Sequence, residues 1–260
     1  MLSVVVPTFN ESENVGDLVE RIDRALSGLR YEIIFVDDSN DDTPDVIEKL
    51  AENNPAVRLY HREKGTGLAT AVIDGFDLAK GRYIAVMDAD LQHPPEILRP
   101  MLAACLCRKC DCCIPSRFIP GGSDGGLNPY RKLVSGTARY IGKIALSSIR
   151  RVSDPTSGLF MFRRECISEA DLRPIGWKIM IEVLAMADYD SICEIPYVFC
   201  EREHGESKLS AKVTKEYLLQ VAGLMFRQKK HPGVRVERLG EKAVAKCVRK
   251  LDSIRTSSQR

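Results

Sequence analysis

The chain has 260 residues, 44% apolar and 28% charged, a composition that excludes a disordered or fibrous protein and suits one α/β domain with or without a tail. The net charge of +2 is uneven: ten Lys/Arg stand against three Asp/Glu between Gln228 and Arg260, so a basic segment follows a mildly acidic body, residues 1–227. No stretch approaches the roughly 20 consecutive apolar residues of a membrane span.

The first apolar run, Leu2 to Val6, carries no signal-peptide pattern, which predicts a cytoplasmic chain. A helix near 13–29, a strand over 32–36, a helix near 44–52 and a strand over 57–60 follow in βαβ rhythm. A helix near 67–80, a strand over 83–87 and a helix opened by Pro94-Pro95 extend it, predicting a doubly wound, mostly parallel sheet with ligands beyond the strands' carboxyl ends. Five cysteines between Cys105 and Cys113 lack the paired spacing of a zinc site and read as small buried residues at a helix end and in the next strand. Gly121 to Gly126 is too glycine-rich for a regular element and reads as a mobile loop, either a connector or a lid. A helix near 130–148, a strand over 159–162, a helix near 177–186 and a strand over 192–199 complete the body. The segment 228–260 reads as a basic tail, helical or partly disordered, suited to an anionic lipid surface, to nucleic acid or to solvent.

Three groups of residues carry chemistry. Asp88-Ala89-Asp90-Leu91-Gln92 directly follows a buried-looking strand, and two carboxylates one residue apart at a strand end converge on a hard cation such as Mg²⁺ or Mn²⁺. A divalent ion on a diphosphate stabilises its departure without proton transfer. Asp37-Asp38 and Pro7-Thr8-Phe9-Asn10-Glu11 end two further strands; carboxylates there accept from a ribose or a base, and Phe9 packs beside the base. Asp41 or Asp42 serves equally as an N-cap before Thr43-Pro44. The third group is basic: Arg117, Arg131, and Arg202, His204, Ser207 and Lys208, which suit a phosphate-bearing acceptor.

These motifs, with Gly65 to Ala71, the His93-Pro94-Pro95 extension, Ser116-Arg117-Phe118, Ser157-Gly158-Leu159-Phe160 and Gly205-Glu206-Ser207-Lys208, occur in the order of family 2 glycosyltransferases. Over residues 1–227 the chain resembles their polyprenol (dolichol)-phosphate mannose synthase subgroup. The resemblance implies an α/β GT-A fold and inverting transfer of mannose from GDP-mannose to a polyprenyl phosphate, with UDP-glucose or another nucleotide-sugar as the alternative donor. It implies that Pro7, Phe9, Glu11, Val36, Asp38, Ala89 and the metal residues Asp88, Asp90 and Gln92 line the nucleotide-sugar site. Asp90, Arg117, Arg202 and Lys208 would act in catalysis, the last three on the donor as well. Arg117, Arg131, Ser207 and Lys208 would hold the acceptor phosphate. A sugar nucleotidylyltransferase, the remote alternative, calls for a glycine-rich turn with a basic residue where Pro7 to Glu11 stands.

Two departures stand out. Phe9 occupies a position where many relatives carry tyrosine, and the C-terminal membrane helices of some relatives have no counterpart. Attachment to the cytoplasmic face of a membrane then falls to amphipathic surfaces such as Leu218, Leu219, Leu224, Met225 and Phe226, to the basic tail, or to a membrane-anchoring partner subunit. No nucleic acid is expected as a partner.

Overall fold

A computed structural model describes residues 1–65, 67–126, 129–201 and 211–258, with side chains except at 129–134, 211–212 and 255–258. In its first half, strands β1 (Leu2–Thr8), β2 (Tyr31–Asp37), β3 (Val57–His61) and β4 (Tyr83–Val86) alternate with helices α1 (Ser12–Ala25), α2 (Thr43–Asn53) and α3 (Leu68–Leu78). Pro95 to Ile97 makes a short 3₁₀ turn into α4 (Leu98–Arg108), followed by β5 (Cys112–Ser116), α5 (Pro129–Ala145), β6 (Phe160–Arg163), α6 (Ile179–Met186), β7 (Ser191–Pro196), α7 (Ala211–Arg227), β8 (Arg235–Arg238) and α8 (Glu241–Ser258).

The strands form one sheet in the order β3-β2-β1-β4-β6-β5-β7-β8. Only β6 runs antiparallel to its neighbours, β4 and β5. Strands covered on both faces are apolar throughout, and successive side chains enter opposite cores. Leu2, Val4 and Val6 pack with Leu18, Ile22 and Met101 on one side, and Val5 packs with Val72 and Phe76 on the other. On that second side α3 lies so close that a Cβ on Gly75 would meet Val5 at 2.3 Å.

From β1 the chain winds outward through β2 and β3, then returns to place β4 on the other flank of β1. The parallel pairing sets Thr8 beside Asp37 and Val5 beside Val86. The carboxyl ends of β2, β1 and β4 therefore open side by side at the topological switch point, where open α/β sheets bind ligands.

The sequence reading needs amending in three places. The glycine segment expected to be a mobile loop is pinned at its start: the Ser123 N–H donates to the Tyr197 carbonyl and the Phe199 N–H to the Ser123 carbonyl, both at 3.0 Å. Gly125 (φ 64°) passes so near that strand extension that a Cβ would meet the Phe199 carbonyl oxygen at 1.9 Å. Residues 228–258, read as a tail, belong to the sheet and its cover: β8 pairs with β7, and Leu239 and Cys247 are buried. On α7, Leu224 turns inward, whereas Leu218, Leu219, Met225 and Phe226 are exposed. No helix among the described residues is long and apolar enough to cross a membrane.

Candidate active site

A cavity of about 350 Å³ lies at the switch point, lined by Pro7, Thr8, Phe9 and Glu11 after β1, Asp38 after β2, Gly67, Leu68 and Ala71 of α3, Asp88, Ala89 and Asp90 after β4, and Trp177 ahead of α6. Pro7, Phe9, Glu11, Asp38, Asp88, Ala89 and Asp90 thus meet in one place, as the sequence reading expects.

Adjacent carboxylates at the end of β2 are parted by strand alternation. Asp37 is fully buried and ties three strand ends together: its Oδ1 accepts the Thr8 and Ser39 hydroxyls at 2.8 and 2.5 Å, and its Oδ2 lies 2.8 Å from His61 Nδ1. Asp38 faces the cavity but is gripped from below by the Arg62 guanidinium, through Nε and Nη2 at 2.6 Å each. Gly65 is required beside it, since a Cβ there would stand 2.1 Å from the Asp38 carboxylate. The loop after β1 is fastened to the loop after β2 by Asn10 (φ 57°): its N–H donates to Ser39 Oγ and its side-chain oxygen accepts the Asn40 N–H. Asp42 occupies the N-cap position of α2 without a side-chain bond, and the carboxylate of Asp41 accepts the Thr43 N–H instead.

After β4 the chain turns sharply at Leu91, held at φ 58°, a left-handed conformation unfavourable for a branched residue and maintained here by burial of the Leu91 side chain. The turn brings Asp90 back to the cavity beside Asp88, with the Gln92 N–H donating to Asp90 Oδ1 at 3.2 Å. Asp88 is half-exposed; the space beside its carboxylate exists because residue 158 is glycine, where a Cβ would lie 2.2 Å from Oδ2. His93 is buried behind it, stacked on Tyr197 and edge-on to Phe199. Burial, with Arg117 and Lys178 nearby, pushes the imidazole down to about 3. The ring is therefore neutral at physiological pH, and its 3.8 Å approach to Asp88 is a packing contact, not an ion pair.

Several expected site residues lie elsewhere. Val36, two residues before Asp38 on the same face of β2, is fully buried in the core against Ala69, Ala71 and Val72 of α3. Gln92 is buried too, its carbonyl accepting the Cys200 N–H and its side-chain amide reaching the Cys200 carbonyl at 3.5 Å; it fastens the turn to the extension of β7. Arg117 does not line the cavity. Its guanidinium is 8% exposed and makes a two-bonded pair with the fully buried Asp154, Nε to Oδ2 at 2.7 Å and Nη2 to Oδ1 at 2.9 Å. The Nε–Nη2 edge of the guanidinium is thus occupied by a carboxylate. The Arg131 side chain, Arg202, His204, Ser207 and Lys208 fall outside the described residues.

Other participants went unrecognised in sequence. Trp177, exposed at the cavity's rim, supplies an aromatic wall, and its being the sole tryptophan, just ahead of an apolar helix, was the available signal. Lys178 donates to the Thr156 carbonyl at 2.8 Å. Arg62, one residue past β3, could have been found by asking what neutralises Asp38 once β3 pairs with β2. Among the described residues no three His, Cys, Asp or Glu side chains converge as a metal site. Asp88 and Asp90 are the two carboxylates that line the cavity after β4.

The fold and its switch-point cavity are those of a glycosyltransferase, since a family model, glycosyl transferase family 2, matches residues 3–170; the chain belongs to that family. It is 44% identical to the dolichol-phosphate mannosyltransferase of Pyrococcus furiosus over 86% of this chain, and it spans 63% of that protein's length. It is 37% identical to the dolichol-phosphate mannosyltransferase of Saccharomyces cerevisiae, covering 85% of this chain and 86% of the yeast protein. The polyprenol monophosphomannose synthase of Mycolicibacterium smegmatis is 36% identical, with 84% of each chain covered. Among solved structures, glucosyl-3-phosphoglycerate synthase from Mycobacterium tuberculosis, in complex with Mn²⁺, UDP and glucosyl-3-phosphoglycerate, superposes with a TM-score of 0.63 at 21% identity, covering 87% of this chain and 79% of that one. Mannosyl-3-phosphoglycerate synthase from Rubrobacter xylanophilus gives 0.62 at 19% identity, over 90% and 78%. The shared architecture is the GT-A fold.

Proposed function

We propose that the chain transfers mannose from GDP-mannose to a polyprenyl (dolichyl) phosphate, with inversion at the anomeric carbon. One observation carries this reading: Asp88 and Asp90 line the same cavity as Phe9, Glu11, Asp38 and Trp177. Hard oxygen donors for a diphosphate's cation thus adjoin an aromatic and carboxylate wall for a nucleoside. The relatives named as dolichol-phosphate mannosyltransferases support the choice of sugar and lipid.

The donor set fits Mg²⁺ or Mn²⁺: carboxylate oxygens suit hard cations, and Gly158 leaves room for the Asp88 carboxylate to sit at the cavity. Held by Asp88 and Asp90, such a cation supplies the positive charge that lets a nucleoside diphosphate leave unprotonated. A phosphate oxygen of the lipid attacks the anomeric carbon while the bond to the diphosphate breaks, its electron pair departing with GDP. The acceptor, a phosphate monoester with a second pKa near 6, is mostly dianionic at neutral pH and needs no general base. Arg62 holds Asp38 at the nucleoside wall. Family resemblance assigns Arg131, Ser207 and Lys208 to the acceptor phosphate and Arg202 to the donor and to catalysis, while Arg117 braces Asp154.

The reading places the protein on the cytoplasmic face of a membrane. There α5 presents Tyr140, Ile141 and Ile144 outward, and α7 presents Leu218, Leu219, Met225 and Phe226, the last 91% exposed. Two such amphipathic helices suit an interfacial bed.

The test is to incubate the protein with Mn²⁺, labelled GDP-mannose and a short polyprenyl phosphate and follow label into the organic phase. Transfer is expected from GDP-mannose in preference to UDP-glucose; Asp90→Ala should nearly abolish it and Lys208→Ala should mainly raise the KM for the lipid. Full activity of Asp90→Ala in chelator would refute the reading.

A further inference from the structure

A second cavity, of about 370 Å³, opens beyond the C-terminal ends of α5 and α7, between them and the segment leading into β8. It is bordered by Ser147, Ser148, Arg150, Arg151, Lys230 and His231, and no Asp or Glu lines it. Among the described residues these cations meet no carboxylate. Arg150 donates to the Lys143 and Ile144 carbonyls at the end of α5, and Arg151 to the Val234 carbonyl. Neither arginine, nor Lys230, meets a carboxylate within ion-pair distance among the described residues, whereas the neighbouring Lys229 is paired with Asp188 at 2.7 Å. Three guanidinium and ammonium groups around one hollow without a counter-charge constitute an anion site.

The position of this hollow narrows the anion. Helices α5 and α7 lie alongside one another in parallel, since the Tyr217 hydroxyl donates to the Ala138 carbonyl and, further along both, Ser147 Oγ lies 3.2 Å from Gln228 Oε1. Their exposed apolar side chains, from Tyr140 to Ile144 and from Leu218 to Phe226, run toward this same end. An apolar face followed by an unneutralised basic hollow matches a lipid leaflet, acyl region first and headgroup phosphates next. We infer that the cavity beyond α5 and α7 binds the phosphate of an anionic phospholipid headgroup, a site separate from the one at the carboxyl ends of β1, β2 and β4. The inference rests on the reading of α5 and α7 as the membrane face.

The experiment is co-sedimentation of the full chain with phosphatidylcholine vesicles, with and without phosphatidylglycerol, at constant ionic strength. The wild-type protein should prefer the anionic vesicles. Arg151→Gln with Lys230→Gln should weaken that binding about thirtyfold, at the per-residue value for basic groups near an anionic surface, while leaving residual binding to phosphatidylcholine. The same double variant should keep wild-type transfer to a detergent-dispersed acceptor, and the charge-conserving Arg151→Lys with Lys230→Arg should restore the preference. Ile144→Ser with Phe226→Ser should instead lower binding to both kinds of vesicle. Undiminished anionic binding by the glutamine variant overturns the headgroup site while leaving the apolar membrane face standing. Absence of binding to any vesicle overturns both. Release from anionic vesicles by inorganic phosphate, but not by chloride of matched ionic strength, reassigns the hollow to a free phosphate and overturns the lipid assignment.

Discussion

Gly158 has no side chain, and the Asp88 carboxylate takes the space so left, with its Oδ2 only 2.2 Å from where a Cβ would stand and His93 Nε2 at 3.3 Å. Adding that one carbon pushes on the far end of a side chain and not on backbone, so the fold should tolerate it while the carboxylate moves. For Gly158→Ala we expect a melting temperature within about 3 °C of wild type, because less than about 1 kcal/mol is at stake. Turnover should fall about 100-fold, the scale set by misplacing a reacting group by about 1 Å. Side-by-side thermal melts and initial rates across a Mn²⁺ titration would check this, and an unchanged rate would show that the position of Asp88 is immaterial. His93 bears on the same point differently: burial keeps it neutral, so, stacked on Tyr197, it packs behind Asp88 without adding a charge.

The ion pairs that hold the elements together show what a sequence conceals. The βαβ rhythm, the strand ends and the convergence of Phe9, Glu11, Asp38, Asp88 and Asp90 were legible because apolar runs announce strands and polar residues directly after them must gather at one edge. The partner of Arg117 was not legible, because no local pattern reveals that its guanidinium meets Asp154, 37 positions away. That pair is buried on both sides, 8% and 0% exposed, and removing one partner from such a pair costs about 3–5 kcal/mol. Asp154→Ala should therefore destabilise the protein by about that amount, whereas Arg117→Met with Asp154→Leu should recover much of it, as measured by chemical denaturation. A phosphate-gripping Arg117 would instead give a variant of unaltered stability and raised KM. Glu32 makes a comparable junction between β1, β2 and β3, accepting the Ser3 hydroxyl at 2.6 Å, Arg58 Nη1 at 2.5 Å and the Lys80 N–H at 2.8 Å. Burial alone would push its carboxyl up, but the Ser3, Lys80 and Arg58 bonds together hold it below the usual carboxylate range. A depressed folded-state value means that this stabilisation is complete above the unfolded pKa of about 4.3 and disappears as pH falls through the folded value. Glu32→Gln should accordingly be less stable than wild type at pH 7, with the difference closing in acid, as read from denaturation midpoints across that range.

For the whole molecule, the decisive segment is the one whose charge suggested a solvated tail. Its composition was misleading because ten basic groups dominate the count; the helical option of the sequence reading, carried by Val244, Cys247, Val248 and Leu251 at helix spacing, is the part that α8 realises. In the structure β8 closes the parallel edge of β7, Leu239 and Cys247 are buried, Arg238 binds the fully buried Glu194 through Nε at 3.0 Å, and Asp252 on α8 pairs with Arg99 on α4. Each buried apolar side chain contributes about 1.5–3 kcal/mol, and losing the Arg238 partner leaves Glu194 with only the Ser153 donors. Ending the chain after Arg227 should therefore lower the melting temperature by about 10 °C or more. It should also expose the β7 edge to pairing with other chains, producing association that grows with concentration. A solvated tail predicts the opposite pattern, an unchanged melting temperature with only the salt dependence of vesicle binding lost. Scanning calorimetry together with sedimentation of the shortened chain separates the two, and a monomeric, fully stable product would remove residues 228–258 from the fold.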